Sequence, residues 1–234
     1  MKLNLKSVLG IATVSLAGVL TSSADVSYDF GQVSGGSAPT GTPPWAQAVF
    51  SDAGANTVQL TLTAGDLGSS AFISCWYFNL NPSLAPTSLN FTVSGSTGAF
   101  TDPTVQTGPN GFKAGPDGKF DILLNFATTG GDSALFGSGD SLTYTITGIT
   151  GLTADDFNWL STSAGGSGAY DSAAHVQPGS DAPCPAWINP TTTSVFNEIN
   201  DQRGPGVPDG ASTMALLGAS LTAIEAFRRK LRSR

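Results

Sequence analysis

The sequence predicts an all-β fold, an antiparallel two-sheet sandwich of jelly-roll-like connectivity, and three observations carry that expectation. Apolar and polar residues alternate at period two in one run after another, the pattern of strands with one buried face. Turn formers punctuate those runs, with 29 Gly and 14 Pro among abundant Ser, Thr and Asn. Between residues 25 and 205 no apolar pattern of helical period reaches a useful length. Some seven short strands separated by turn signals fit a sandwich best.

Taken in chain order, the first element is an address. Lys2 and Lys6 flank a basic start, an apolar run extends from Val8 to Leu20, and Ser22, Ser23 and Ala24 are small. This is the layout of a secretion signal helix over residues 1–24, cleaved after Ala24 by signal peptidase. A buried N-terminal helix is the alternative, but a run this short with a basic flank fits a signal better than a spanning helix.

Residues 25–200 then form the expected exported domain. Short candidates lie at 45–50 and 173–177. Val58, Leu60 and Leu62 alternate with Gln59 and Thr61 in the clearest strand. Leu89, Phe91 and Val93, and then Leu142, Tyr144 and Ile146, repeat the pattern with Asn or Thr on the outer side. The runs 72–78 and 120–126 are more continuously apolar and belong in sheet centres. A chain of 234 residues holds one sizeable core, so one domain is expected.

The overall charge of −7 hides a division. Residues 25–206 contain three basic and fifteen acidic residues, a net −12, while five of the ten basic residues fall within 228–234. An acidic body repels phosphate backbones, which argues against a nucleic-acid partner.

The C-terminal end reads as three parts: a Pro/Gly hinge with Val207, Pro208, Asp209 and Gly210 within 201–210, an apolar segment at 211–227, and a basic tail at 228–234. Seventeen helical residues span about 25 Å, the short limit for a transmembrane helix. The basic tail would hold its end on the cytoplasmic side, and Glu225 lies near that interface, where it can reach Arg228 or Arg229. An amphipathic surface helix is the other reading of this segment. The run Val207, Pro208, Asp209, Gly210, Ala211, Ser212, Thr213, followed by an apolar segment and an Arg-rich tail, resembles the C-terminal sorting signal of PEP-CTERM proteins, in the variant that begins Val-Pro-Asp. Pro-Asp replaces Pro-Glu-Pro here, and Ala211 stands where the variant usually has Gly. The resemblance implies recognition by an exosortase of a Gram-negative bacterium, a transient membrane anchor, and display at the cell surface or in an extracellular matrix. More loosely, Trp76 to Pro82, Gly118 to Ile122, and Tyr170 through His175 to Trp187 resemble PEP-CTERM ectodomains of unassigned function, which implies a shared β fold and no activity.

Within the domain few side chains suggest chemistry. Cys75 and Cys184 are the only cysteines, and an exported domain favours their pairing as a disulfide. A loop of about 110 residues closed that way would stabilise by roughly 3–5 kcal/mol; two free thiols are the alternative. His175 is the only imidazole, so any Ser/His/Asp mechanism must use it. Gly139, Asp140, Ser141 and Leu142 spell the GDSL hydrolase block, but the tetrapeptide opens a strand and Asp171 stands four residues before His175 where the pattern has three. Asp155 with Asp156, and Asp117 with Asp121, are carboxylate pairs open to glycoside chemistry or, for the second, a calcium loop; solvated turns are the plainer reading. No metal site, no cofactor and no enzymatic activity are expected. The chain reads as a structural or interaction protein of the cell surface. The alternative is a carbohydrate-binding module using Trp45, Trp76, Trp159 and Trp187 as stacking platforms for extracellular polysaccharide.

Overall fold

Alternation becomes strand wherever the apolar set can reach a common interior. The computed structural model describes residues 25–164, 169–179 and 185–191. Its strands are β1 (Asp25–Gly36), β2 (Ala46–Asp52), β3 (Val58–Ala64), β4 (Phe72–Phe78), β5 (Asn90–Thr97), β6 (Thr104–Lys113), β7 (Lys119–Asn125), β8 (Phe136–Gly137), β9 (Ser141–Thr147), β10 (Ser172–Gln177) and β11 (Ala186–Pro190). Two short 3₁₀ turns, Pro86–Ser88 and Ala154–Phe157, are the helical elements among the described residues.

The strands form one antiparallel sheet in the order β5-β9-β3-β2-β1-β11-β10-β4-β7-β6, with β8 on β4. The expected sandwich is therefore corrected: the fold is all-β, but the sheet is continuous and curls into a nearly closed barrel. The physical reason lies in β1. Its first half, from Asp25 to Phe30, pairs with β2. Its second half, from Phe30 to Gly36, pairs with β11 through two register irregularities. One long, bent strand thus hydrogen-bonds the two halves that a sandwich would leave as separate sheets; bulges supply such bends.

Curling is visible in the core. Phe50 of β2 meets Phe78 of β4 edge-on at 5.1 Å, although four strand-to-strand steps separate them along the sheet. Phe157 stacks on Phe50 at 4.3 Å, and Phe30 meets Trp76 at 5.1 Å. These rings close the interior with Val58, Leu60, Leu62, Ile122, Leu124, Leu142 and Ile146, all buried. Aromatic pairs of this geometry add to the gain from area alone.

All seven expected strands form, with boundaries within a few residues. The run at 89–93 departs in burial: Leu89 is buried and Phe91 half-buried, but Val93 is 40% exposed, because β5 is the last strand of the sheet and overhangs the core. Residues 1–24 and 201–234, with the expected signal helix, Ala24, the hinge and the transmembrane helix, lie outside the described residues. Among the described residues no helix is long and apolar enough to cross a membrane.

Candidate functional site

The outer face of β4, β7, β10 and β11 carries a second apolar cluster. Tyr77, Phe120, Ala114 and Ala173 are buried there, with Cys75, Phe112, Leu123, Tyr170 and Trp187 packed around them. The hairpin between β6 and β7 folds over this face. Its turn is closed by Ala114 N–H donating to Gly118 O at 3.0 Å and Asp117 N–H to Ala114 O at 2.7 Å. Gly115, at φ +43°, lies so close to the Trp187 indole that a Cβ would stand 2.4 Å from the ring. Only glycine meets both demands. Trp187 in turn packs on Tyr77 at 5.8 Å and on His175 at 4.5 Å.

A polar strap locks the hairpin down. Lys119 and Thr162 exchange backbone hydrogen bonds at 2.8 and 3.0 Å, Ser161 Oγ donates to Asp117 O at 2.6 Å, and Tyr170 N–H donates to Ser161 Oγ at 3.1 Å. Beneath it the Asp117 carboxyl is wholly buried, and neither of its oxygens has a hydrogen bond of good geometry. Burial pushes this carboxyl above the usual 3.8, against the smaller opposing pull of the Ser34 and Asn189 side chains.

His175 holds Ser74. The Ser74 hydroxyl lies 2.9 Å from His175 Nδ1 and 3.1 Å from His175 O, at the bulge where Cys75 and Ile73, but not Ser74, face β10. Ser74 is 2% exposed, so no substrate carbonyl could approach it, and the contact pins the bulge. Burial lowers the His175 pKa and keeps the ring neutral. The sequence reading missed this pair, because a bulge that turns Ser74 toward a neighbouring strand leaves no mark in the alternation.

The other Ser/His combination is not assembled. Ser141 opens β9 and His175 lies on β10, with β3, β2, β1 and β11 between them in the sheet. Asp140 of the same tetrapeptide accepts from Gly137 N–H at 2.8 Å. One carboxylate of each candidate pair is likewise occupied with structure. Asp156 accepts from Thr153 N–H at 3.0 Å and from Asn81 Nδ2 at 3.1 Å. Asp121 accepts from Leu80 N–H at 3.0 Å and Asn110 N–H at 2.7 Å, while Asp117 turns inward. No group of three or more metal-ligating side chains of the His, Cys, Asp and Glu types occurs among the described residues.

Cys75 is half-buried with a free thiol, which donates to Asn125 Oδ1 at 3.4 Å. Burial raises its pKa, so the thiol keeps its proton and is a poor nucleophile. Cys184 lies outside the described residues, and no disulfide is present among the described ones. Of the four tryptophans, Trp45 and Trp76 are in the core and Trp187 is packed within the outer cluster.

A groove of about 460 Å³ is lined by Ser70, Phe72, Asp132, Gly137, Ser138 and Asp140 among others. It contains no imidazole and no thiol, and Asp140 is already committed to Gly137.

The C-terminal tail, outside the described residues, carries the one signal that the comparisons find. No curated protein and no solved structure matches the chain. A family model described as the VPDSG-CTERM motif matches residues 206–231, where this chain reads Val207, Pro208, Asp209, Gly210, Ala211. That match covers Ser212, Thr213, the apolar segment and most of the basic tail, so the C-terminal end is similar to a sorting signal of the PEP-CTERM type.

Proposed function

We propose that this chain is an exported protein of a Gram-negative cell surface or extracellular matrix, held briefly in the membrane by residues 211–227 and sorted by an exosortase. The observation that carries this reading is the family match over residues 206–231. Two sequence features support it: the secretion signal read at residues 1–24, and the basic residues that follow the apolar segment. Asp25, the residue after the expected cleavage at Ala24, already lies in β1.

The barrel itself serves a structural or interaction role in this reading, without catalysis. Its lone imidazole is neutral and holds a buried serine, and one carboxylate of each candidate pair, Asp121 and Asp156, accepts structural hydrogen bonds. Carbohydrate binding is the second reading; of its four tryptophans Trp45 and Trp76 are core residues, Trp187 packs in the outer cluster and Trp159 is half-buried.

Expression of the full chain in a host with a matching exosortase, and in one without, tests the reading. Fractionation is expected to place the protein outside the cell only when the exosortase is present, and in the membrane fraction otherwise. The same distribution in both hosts would overturn exosortase sorting.

A further inference from the structure

Among the described residues the main path of the sheet ends in two edges, β5 and β6, and they are not alike. A bare edge offers unpaired N–H and C=O groups to any extended chain, so proteins usually guard edges with charge, proline or bulges. β6 is guarded: it contains Pro109 and Lys113, its pairing with β7 breaks between Thr107 and Phe112, and Asn110 N–H is taken by Asp121. β5 carries no charged residue and no proline along Asn90–Thr97. Its backbone pairs with β9 on one side, and among the described residues it makes no backbone hydrogen bond to anything else. Thr92, Val93 and Ser94 are all exposed, and Val93, at 40%, is one of two large hydrophobic side chains left open among the described residues. β-Branched residues at 92 and 93 favour an added strand neighbour. A bulge between Val93 and Gly95 is the sole guarding device on this edge.

We infer that β5 is a self-pairing edge, through which two copies of this chain join antiparallel, Asn90–Thr97 against Asn90–Thr97. The occupant is a second copy because two identical strands related by a twofold axis must run antiparallel, the pairing this sheet already uses throughout, and the interface closes on itself. The guarded β6 edge disfavours the alternative of β5 on β6, which would repeat into a filament. The uncharged strand also lets two bodies of net −12 meet where neither places a charge in the interface. One strand pair buries less than the ~1,200 Å² of a standard interface, so the dimer is weak and forms when the protein is concentrated, as in a matrix.

Hydrogen exchange on the full chain at low and high protein concentration tests this. Peptides covering 90–97 are expected to gain protection at high concentration, while those covering 104–113 do not. Thr92→Lys and Thr92→Glu, each at an exposed site, are expected to abolish the gain with protection of β2 and β3 unchanged. An equimolar mixture of the two variants is expected to restore it, because the twofold brings the opposite charges within reach of each other. Protection at 90–97 that is the same at both concentrations would mean that a segment of the same chain covers the edge, and would overturn the inference. So would the absence of any gain in the wild-type chain, or a gain that survives Thr92→Lys alone.

Discussion

The barrel has two apolar clusters, and they are built by different rules. Inside, the aromatic rings of Phe30, Phe50, Trp76, Phe78 and Phe157 meet one another in edge and stacked contacts, and the strands contribute aliphatic side chains at every second position. Outside, the cluster under the β6–β7 hairpin is mixed: Tyr77 and Trp187 pack beside a neutral histidine, a thiol and a buried carboxyl. The inner cluster needs only alternation and volume. The outer one depends on a glycine with positive φ, a strap of backbone hydrogen bonds and a carboxyl kept from water. Alternation makes a core robust, whereas turn chemistry makes a surface cluster sensitive to single atoms.

The largest expected effect is in the inner cluster. Phe50→Ala removes a ring buried against Phe78 and Phe157 and should destabilise by about 3–5 kcal/mol, read as a lower urea midpoint with an unchanged slope. Gly115→Ala should cost about 2 kcal/mol, through the positive φ and the Trp187 ring together. Its loss should be accompanied by a change in tryptophan fluorescence that Phe50→Ala at equal stability does not share. If Gly115→Ala is silent, the hairpin does not rest on the indole as described.

A carboxyl is the next point of contrast. The Asp117 pKa is raised in the folded chain, so between the ordinary carboxylate value and the folded one the folded state holds a proton that the unfolded chain has lost. Stability therefore falls as pH rises through that window and levels off above it. Asp117→Asn should remove this limb and leave the variant more stable than the wild type at neutral pH, by about 1–3 kcal/mol. Thermal melts of both proteins from acid to neutral pH would show it; parallel curves would place the carboxyl in contact with water.

Two buried tyrosines provide the smallest and sharpest test. Tyr28 donates to Phe157 O at 2.9 Å, whereas the Tyr144 hydroxyl is buried without a partner and its pKa is pushed up to about 12, chiefly by burial and then by Asp102. Tyr28→Phe should lose about 1 kcal/mol, and Tyr144→Phe should be neutral or slightly stabilising.

How much of this could be read from sequence follows the same division. The runs at 58–62 and 142–147 declare themselves because their apolar residues all reach the one interior, and 72–78 because its apolar residues fill both the inner and the outer cluster. β1 was missed although Val26, Tyr28 and Phe30 alternate, since Gly and Ser fill its second half. β6 was missed because Gly108, Pro109, Asn110 and Gly111 look like a turn. β11 is five residues long and ends in Pro190. The closing of the sheet was not legible either. It depends on β1 pairing with β11, 150 to 160 residues away in sequence, and on bulges that no period-two pattern encodes. In the outer cluster the sequence showed Trp187, His175 and Asp117 singly, and nothing in their spacing said that a hairpin would bring them under one strap.

The claim that the barrel is a body delivered by its tail is tested most directly by the intact mass of the mature protein recovered from a host carrying a matching exosortase. The account predicts a single species that begins at Asp25 and has lost the chain beyond the neighbourhood of Val207. A mature product that retains residues 211–234 would contradict it.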